Sequence, residues 1–210
     1  FLIFAKKLLL NFDIKSKIPK KFIQKTFVVG SPEKNYKNIE TTSVQNKKEK
    51  FTIFIFGGSQ GSIYLTNFSI KLIEILTKEK KIDAQFIIQC PNTIIKNISR
   101  SLKDISSNVI IKDYFYNIEN ILINTSLAIC RSGAGSISDL INFRIPSILI
   151  PLPNAKDNHQ YHNASIMRDN GVAIIINQKS NELNKSKEYI YNIYNKYKNI
   201  KLLNRKFDKI

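Results

Sequence analysis

Gly57-Gly58-Ser59-Gln60-Gly61-Ser62 follows the apolar run Phe51–Phe56 and precedes a helical pattern. A buried strand feeding a Gly-rich turn that opens a helix is the geometry that holds a phosphate. Glycine lets the backbone approach the anion, the first N–H groups point at it, and the helix dipole favours its charge. The stretch lacks the Gly-Lys-Ser/Thr ending of a P-loop and the Gly-x-Gly-x-x-Gly spacing of a dinucleotide fingerprint. A tight strand-to-helix turn with no ligand is the plainer alternative.

A second stretch has the same build. The short apolar run Leu127–Cys130 leads into Arg131-Ser132-Gly133-Ala134-Gly135-Ser136, small and Gly-rich, and again a helix follows. Two such helix starts at the carboxyl ends of separate strands suit a diphosphate joined to a sugar, held in one crevice. Asp139 falls one turn into the second helix, where a carboxylate accepts from ribose hydroxyls. An acid that merely complements the helix dipole leaves the same signature.

The elements that must position these loops follow from periodicity. From Phe51 onward, short continuous apolar strands alternate with amphipathic helices. Strands are expected at 51–56, 84–90, 109–111, 127–130, 145–150 and 172–176. Helices are expected at 62–79, 93–102, 118–123, 136–143, 158–170 and 181–199, the last with Ile190, Ile193, Tyr194 and Tyr197 on one side. This alternation predicts an α/β fold, a doubly wound parallel sheet covered on both faces. Ligands of such sheets bind beyond the carboxyl ends of the strands, where both Gly-rich loops lie. The segment Pro151–Gln160, leaving the strand at 145–150, reaches the same rim. Residues 1–26 are basic and apolar without a clear period. Phe27-Val28-Val29-Gly30-Ser31-Pro32 reads as a short β-like run ending in a turn, and 34–50 as a loop or linker.

With 210 residues, 43% of them hydrophobic, the chain can bury one good core. Its formal charge of +17 has two readings. Lys, Asn and Ile are abundant and Trp is absent, so much of the charge is a compositional bias of the kind an AT-rich genome gives. Alternatively a basic surface meets an anion. The lysines are spread along the chain, and no stripe of cations interleaved with stacking aromatics marks a nucleic-acid footprint, so no nucleic-acid partner is expected. Cys90 and Cys130 each close an apolar strand, the usual place of a buried thiol, and form neither a disulfide framework nor a metal spacing. No Asp-x-Asp cluster is present; neither a metal nor a cofactor is expected. No apolar run reaches the roughly 18 residues that span a bilayer. The chain begins at Phe1 and its only methionine is Met167, so a fragment of a longer protein is expected.

Taken together, Gly57–Gly61, Arg131–Leu140 and Pro151–Ala164 resemble the MurG family, peripheral membrane transferases that move GlcNAc from UDP-GlcNAc to lipid I in peptidoglycan synthesis. The resemblance runs from about Val28 to the end and covers only the carboxy-terminal, donor-binding half of a two-domain GT-B fold. It implies that 1–50 is an interdomain connector with the remnant of an upstream domain, and that 51–210 is the UDP-GlcNAc-binding domain. It implies that Ser59, with Gln60 in the same loop, meets the diphosphate, and that Phe115 offers backbone contacts to the uracil. Ala134, Gly135 and Ser136 would turn helix N–H groups to the phosphates. Asp139 would take the ribose, and His159 and Gln160 the GlcNAc hydroxyls. Lys34 stands near the place of a family Arg, and Asp139 replaces the usual Glu, one methylene longer.

The resemblance places the general base, the acceptor site and most of the membrane-docking surface in an amino-terminal half that this chain does not contain, either as a lost domain or on a partner chain. His159 belongs to the sugar loop, and His162 reads as a helix-surface residue, so no catalytic residue is assigned here. The implied location is peripheral, on the cytoplasmic face of the bacterial inner membrane. Two alternatives stay open: the donor-binding subunit of a split GlcNAc transferase, and a non-catalytic nucleotide-sugar-binding module.

Overall fold

Leu8–Leu10 (β1) and Thr26–Val28 (β2) pair in parallel, with Leu8 opposite Thr26 and Leu10 opposite Val28. The computed structural model describes residues 3–11, 18–30, 50–57, 62–103, 108–180, 182–196, 206–208 and 210. The strand pair belongs to the first of two compact units, Phe1–Asn38 and Ile39–Ile210. A 3-10 turn over Lys20–Lys25 starts after Pro19, whose fixed φ suits a helical start, and leads into β2. Lys25 Nζ donates to the Ala5 carbonyl at 2.7 Å and Thr26 Oγ1 to the Phe22 carbonyl at 2.8 Å. The expected β-like run at 27–29 is thus a strand starting at Thr26. Its partner β1 lies in a stretch whose sequence shows no period. The sequence reading divides the chain after residue 50, whereas the two units divide between Asn38 and Ile39.

The second unit is an all-parallel six-stranded sheet. Its strands are Phe51–Phe56 (β3), Ala84–Gln89 (β4), Val109–Lys112 (β5), Leu127–Cys130 (β6), Ser147–Leu149 (β7) and Ala173–Ile175 (β8). The helices are Ile63–Glu79 (α1), Asn92–Lys103 (α2), Ile118–Asn124 (α3), Ala134–Asn142 (α4), His159–Asp169 (α5) and Leu183–Lys196 (α6). The spatial order β5-β4-β3-β6-β7-β8 runs outward from β3 in both directions. The chain therefore reverses direction between β3 and β6, the switch point where doubly wound sheets open a crevice.

Both faces of the sheet's centre are dry, which is why β3 and β6 read as continuous apolar runs. Every residue of β3 and of β6 is buried. Ile53 and Ile55 join Leu65, Leu72 and Leu76 of α1 and Ile190 of α6 in one cluster. On the opposite side Phe54 stacks on Phe56 at 4.6 Å between ring centroids and meets Phe115 edge-on at 5.9 Å. Each such side chain contributes about 1.5–3 kcal/mol of burial free energy. The α-helix expected at 136–143 begins instead at Ala134, with Gly133 as its N-cap. The strand expected at 145–150 is regular only over Ser147–Leu149, although the Pro146 carbonyl and the Ile150 N–H still bond β6, at 3.0 Å and 2.9 Å, and Ile145 and Ile150 are fully buried.

Candidate functional site

Three chain segments meet at the carboxyl ends of β3, β6 and β7, and a single guanidinium joins them. Arg131, the residue after β6, donates from Nη2 to Ser62 Oγ at 2.9 Å. From Nη1 it donates to the carbonyls of Ile150 at 2.9 Å and Pro151 at 3.2 Å. Its carbon Cζ lies 6.0 Å from the centroid of the Tyr64 ring. Only 8% of Arg131 is exposed, and burial pulls its pKa down from the ordinary value. A guanidinium nonetheless stays charged at neutral pH. All three of these acceptors are uncharged, so a buried cation stands at the crevice among neutral dipoles.

Ser62 is the N-cap of α1; its hydroxyl accepts from Leu65 N at 3.3 Å while it receives Arg131. The α1 start is therefore fixed to the β6 exit. A second tie joins the β6 exit to α5. Ser132 Oγ donates to the Gln160 carbonyl at 2.8 Å, and Asn163 Nδ2 donates to the Ser132 carbonyl at 3.1 Å. Gln160 in turn accepts the Leu152 N–H on Oε1 at 2.9 Å. That bond holds the segment leaving β7 against the first turn of α5.

The α4 helix presents its amino end to this junction. Its first ladder bond runs from Ile137 N to the Gly133 carbonyl at 3.0 Å. The N–H groups of Ala134, Gly135 and Ser136 thus lie ahead of the ladder, where an anion is favoured. Ala134 and Gly135 are exposed, and a Cβ built on Gly135 would meet nothing within 4 Å.

The other expected residues fall around this junction. Asp139 lies on the inward side of α4, 7% exposed and close enough to Cys130 to raise its thiol pKa beyond the rise that burial causes. Phe115 is half-buried at the β5 exit, with Lys112 Nζ 5.6 Å from its ring centroid. His159 opens α5 on the exposed rim, its Nδ1 at 2.7 Å from the Lys156 carbonyl. Asp157 and Asn158 before it both adopt left-handed backbone, at φ 52 and 53. Asp and Asn tolerate that conformation, which is why this loop turns so sharply into α5. His162 is exposed on α5. Ser59, Gln60 and Lys34 lie outside the described residues.

Ser62, Arg131 and Ser132 belong to the site although the sequence reading assigns them no role. A cation directly after a buried apolar strand is the one signal that marks Arg131. Among the described residues no group of three His, Cys, Asp or Glu side chains gathers as a metal site, and no helix is long and apolar enough to cross a membrane.

Residues 52–209 match the model of the glycosyltransferase family 28 C-terminal domain. The chain is 30% identical over 194 residues to the UDP-N-acetylglucosamine--N-acetylmuramyl-(pentapeptide) pyrophosphoryl-undecaprenol N-acetylglucosamine transferase of Rickettsia bellii, covering 90% of this chain and 54% of that protein. The transferase of the same name from Rickettsia canadensis is 32% identical, over 86% of this chain and 51% of that protein. The chain thus spans about half the length of the curated relatives it matches. The Acinetobacter baumannii MurG crystal structure superimposes with a TM-score of 0.64 at 22% identity, over 75% of this chain and 46% of that one. The glycotransferase of kitacinnamycin gives a TM-score of 0.66 at 12% identity, over 97% and 51%. At these identities the likeness is one of fold: a Rossmann-like parallel sheet, the C-terminal domain of GT-B glycosyltransferases.

Proposed function

From the chain's membership of glycosyltransferase family 28, to which it belongs through its C-terminal domain, we propose that it is the donor-binding half of an N-acetylglucosaminyltransferase. The reaction is transfer of GlcNAc from UDP-GlcNAc to lipid I, the undecaprenyl-linked MurNAc-pentapeptide, forming lipid II. The observation that carries this reading is the open amino end of α4 beside the buried Arg131 cation, at the switch point between β3 and β6. An exposed helix start next to a guanidinium whose acceptors among the described residues are neutral suits a diphosphate.

In the reaction the C4 hydroxyl oxygen of the acceptor sugar attacks the anomeric carbon of GlcNAc. The bond from that carbon to the β-phosphate oxygen breaks, and UDP leaves with the electron pair, inverting the centre. The N–H groups of Ala134, Gly135 and Ser136 stabilise the charge that grows on the diphosphate, as preorganised dipoles do. Ser59 and Gln60 meet the same diphosphate from the loop after β3, and Lys34 adds a point charge. Asp139 takes the ribose, Phe115 the uracil through its backbone, and His159 and Gln160 the GlcNAc hydroxyls. Gln160 Oε1 is engaged by Leu152 N, and in this reading its Nε2 donates to the sugar. The acceptor proton goes to a base outside this chain, on an amino-terminal domain or a partner chain. That second half also docks at the cytoplasmic face of the bacterial inner membrane.

Calorimetric titration of the purified chain with UDP-GlcNAc, UDP-Glc, UDP and GDP tests this. The expected order is UDP-GlcNAc tightest, UDP weaker and GDP without measurable heat. Equal binding of UDP and GDP, or none of any nucleotide to a folded chain, would overturn the donor assignment.

A further inference from the structure

Beyond the donor crevice, the turn between β8 and α6 separates two cavities and belongs to both. One, of about 330 Å³, lies against Pro151–Pro153 and Tyr161; the other, of about 270 Å³, lies against Tyr64, Asn67 and Lys71. Gln178 and Lys179 line each of them. Gln178 Oε1 is buried and has no hydrogen-bond partner among the described residues. A buried acceptor left unpaired is costly, and native structures keep few of them.

The turn is also built to hold that amide in place. Lys179 N donates to Asn177 Oδ1 at 2.9 Å, and Ser180 N donates to the Asn177 carbonyl at 3.1 Å. Glu182, the residue before α6, accepts from Asn177 N at 3.4 Å and from the Ser180 hydroxyl, bracing the turn. Among the described residues no carboxylate lines either cavity, whereas Lys179 lines both and Lys71 one. The rest of the wall is apolar, amide or hydroxyl: Leu152, Ile175, Ile176 and Tyr161 on one side, Asn67, Tyr64 and Ser180 on the other. Volumes of this size each hold roughly ten waters, enough for a short peptide or a sugar substituent.

We propose that Gln178 and Lys179 form a second binding site for a group that donates a hydrogen bond beside a carboxylate, the peptide arm of a glycopeptide. The N–H of the arm is received by Gln178 Oε1, and its carboxylate lies against the Lys179 ammonium. The site adjoins the donor crevice at both ends. Leu152, bonded to Gln160, walls the first cavity, and Tyr64, beneath Arg131, walls the second. Which substrate the arm belongs to rests on the reading above: a donor sugar at Gln160 puts the peptide of the acceptor within reach of this turn.

The test is ligand-observed NMR titration of the whole chain with N-acetylmuramyl-L-alanyl-D-isoglutamine, which carries both amide N–H groups and a carboxylate. N-acetylglucosamine and inorganic phosphate are the controls, and UDP-GlcNAc is titrated on the same sample. The glycopeptide is expected to bind and N-acetylglucosamine alone not to. Gln178→Leu and Lys179→Met are each expected to weaken the glycopeptide at least tenfold and to leave UDP-GlcNAc affinity unchanged. Absence of glycopeptide binding to the native chain would overturn the proposal, whatever UDP-GlcNAc does. So would unchanged affinity in Lys179→Met, an exposed position whose substitution leaves the fold intact, or phosphate binding as well as the glycopeptide. Loss of UDP-GlcNAc binding alone would instead count against the donor reading.

Discussion

Arg131 Nη2 and Ser62 Oγ lie 2.9 Å apart, and that one hydroxyl also caps α1 by accepting Leu65 N at 3.3 Å. A strand exit and a helix start are thereby fixed by the same oxygen. The guanidinium continues to the Ile150 and Pro151 carbonyls, so the geometry of three loops depends on one side chain.

Arg131→Met should therefore reduce both stability and donor affinity. Three acceptors lose their donor, and buried unpaired groups cost about 1–3 kcal/mol each, partly offset because a buried charge disappears. Urea denaturation should show a net loss of roughly 1–3 kcal/mol. UDP binding should fall more than uridine binding, because the lost charge acts on the phosphates. Arg131→Lys keeps the charge and loses the fork, and should recover part of the UDP affinity but little of the stability.

Ser62→Ala removes the cap and one of the three acceptors of Arg131, while the guanidinium keeps the carbonyls of Ile150 and Pro151. The expected cost is about 1 kcal/mol of stability, the usual value of a lost N-cap, read from the shift of the urea midpoint at constant slope. A larger loss would mean that Arg131 depends on this hydroxyl for its own placement.

Ala134→Pro separates fold from anion binding. Proline suits the first helical position, and Gly133 before it already holds φ −62 and ψ 151, the extended conformation a following proline requires. The helix should form unchanged while one of its leading N–H donors is gone. A hydrogen bond to a charged group contributes about 1.5–3 kcal/mol, so calorimetry should show UDP weakened roughly tenfold or more, with uridine unaffected.

Glu79 links α1 to α6 and sets a pH response. Lys187 Nζ at 2.7 Å and Tyr191 Oη at 2.8 Å both donate to its carboxylate, and they hold its pKa down to about 2. The folded state thus binds this proton more weakly than the unfolded chain does. Its stabilisation is present above the ordinary carboxylate pKa of 4.5 and is lost as pH falls from there towards 2. Glu79→Gln should flatten the stability profile in that window and leave the nucleotide affinity at pH 7 unchanged.

Cys90 and Cys130 are fully buried, and burial is the main cause raising the pKa of each thiol. The thiolate is the reactive form, so neither should react with an aromatic disulfide reagent at pH 8 until the chain is unfolded in urea. Rapid reaction of either in the native chain would show that the strand ends open.

Much of the second unit was legible because its central strands are buried on both faces. An unbroken run such as Phe51–Phe56 needs no partner to be recognised, and the helices between runs showed their period. β1 was not legible, since Leu8–Leu10 becomes a strand only by pairing with Thr26–Val28, a non-local fact. The start of α4 was misplaced because Ala134 and Gly135 look like loop, and the bonds of Ser132 that fix the preceding turn come from α5. The two Gly-rich loops pointed to a phosphate, but the cation that joins them did not show its reach. A single Arg in sequence says nothing about the carbonyls of a strand that follows it by nineteen residues.

The pairing of β3 with β6 carries a kinetic consequence. Thr52 bonds Ser126 across 74 residues of chain, and the two anion-ready loops stand at the far end of that same ladder. Contacts so distant in sequence form only after a large loop has closed, which places them on the slow side of folding. The crevice is thus assembled by the longest-range event in the sheet, and it is absent from any state in which that event has not occurred. A nucleotide bound there acts as a brake on unfolding rather than as a spur to folding, so it should lengthen the lifetime of the folded chain and leave the refolding rate as it was.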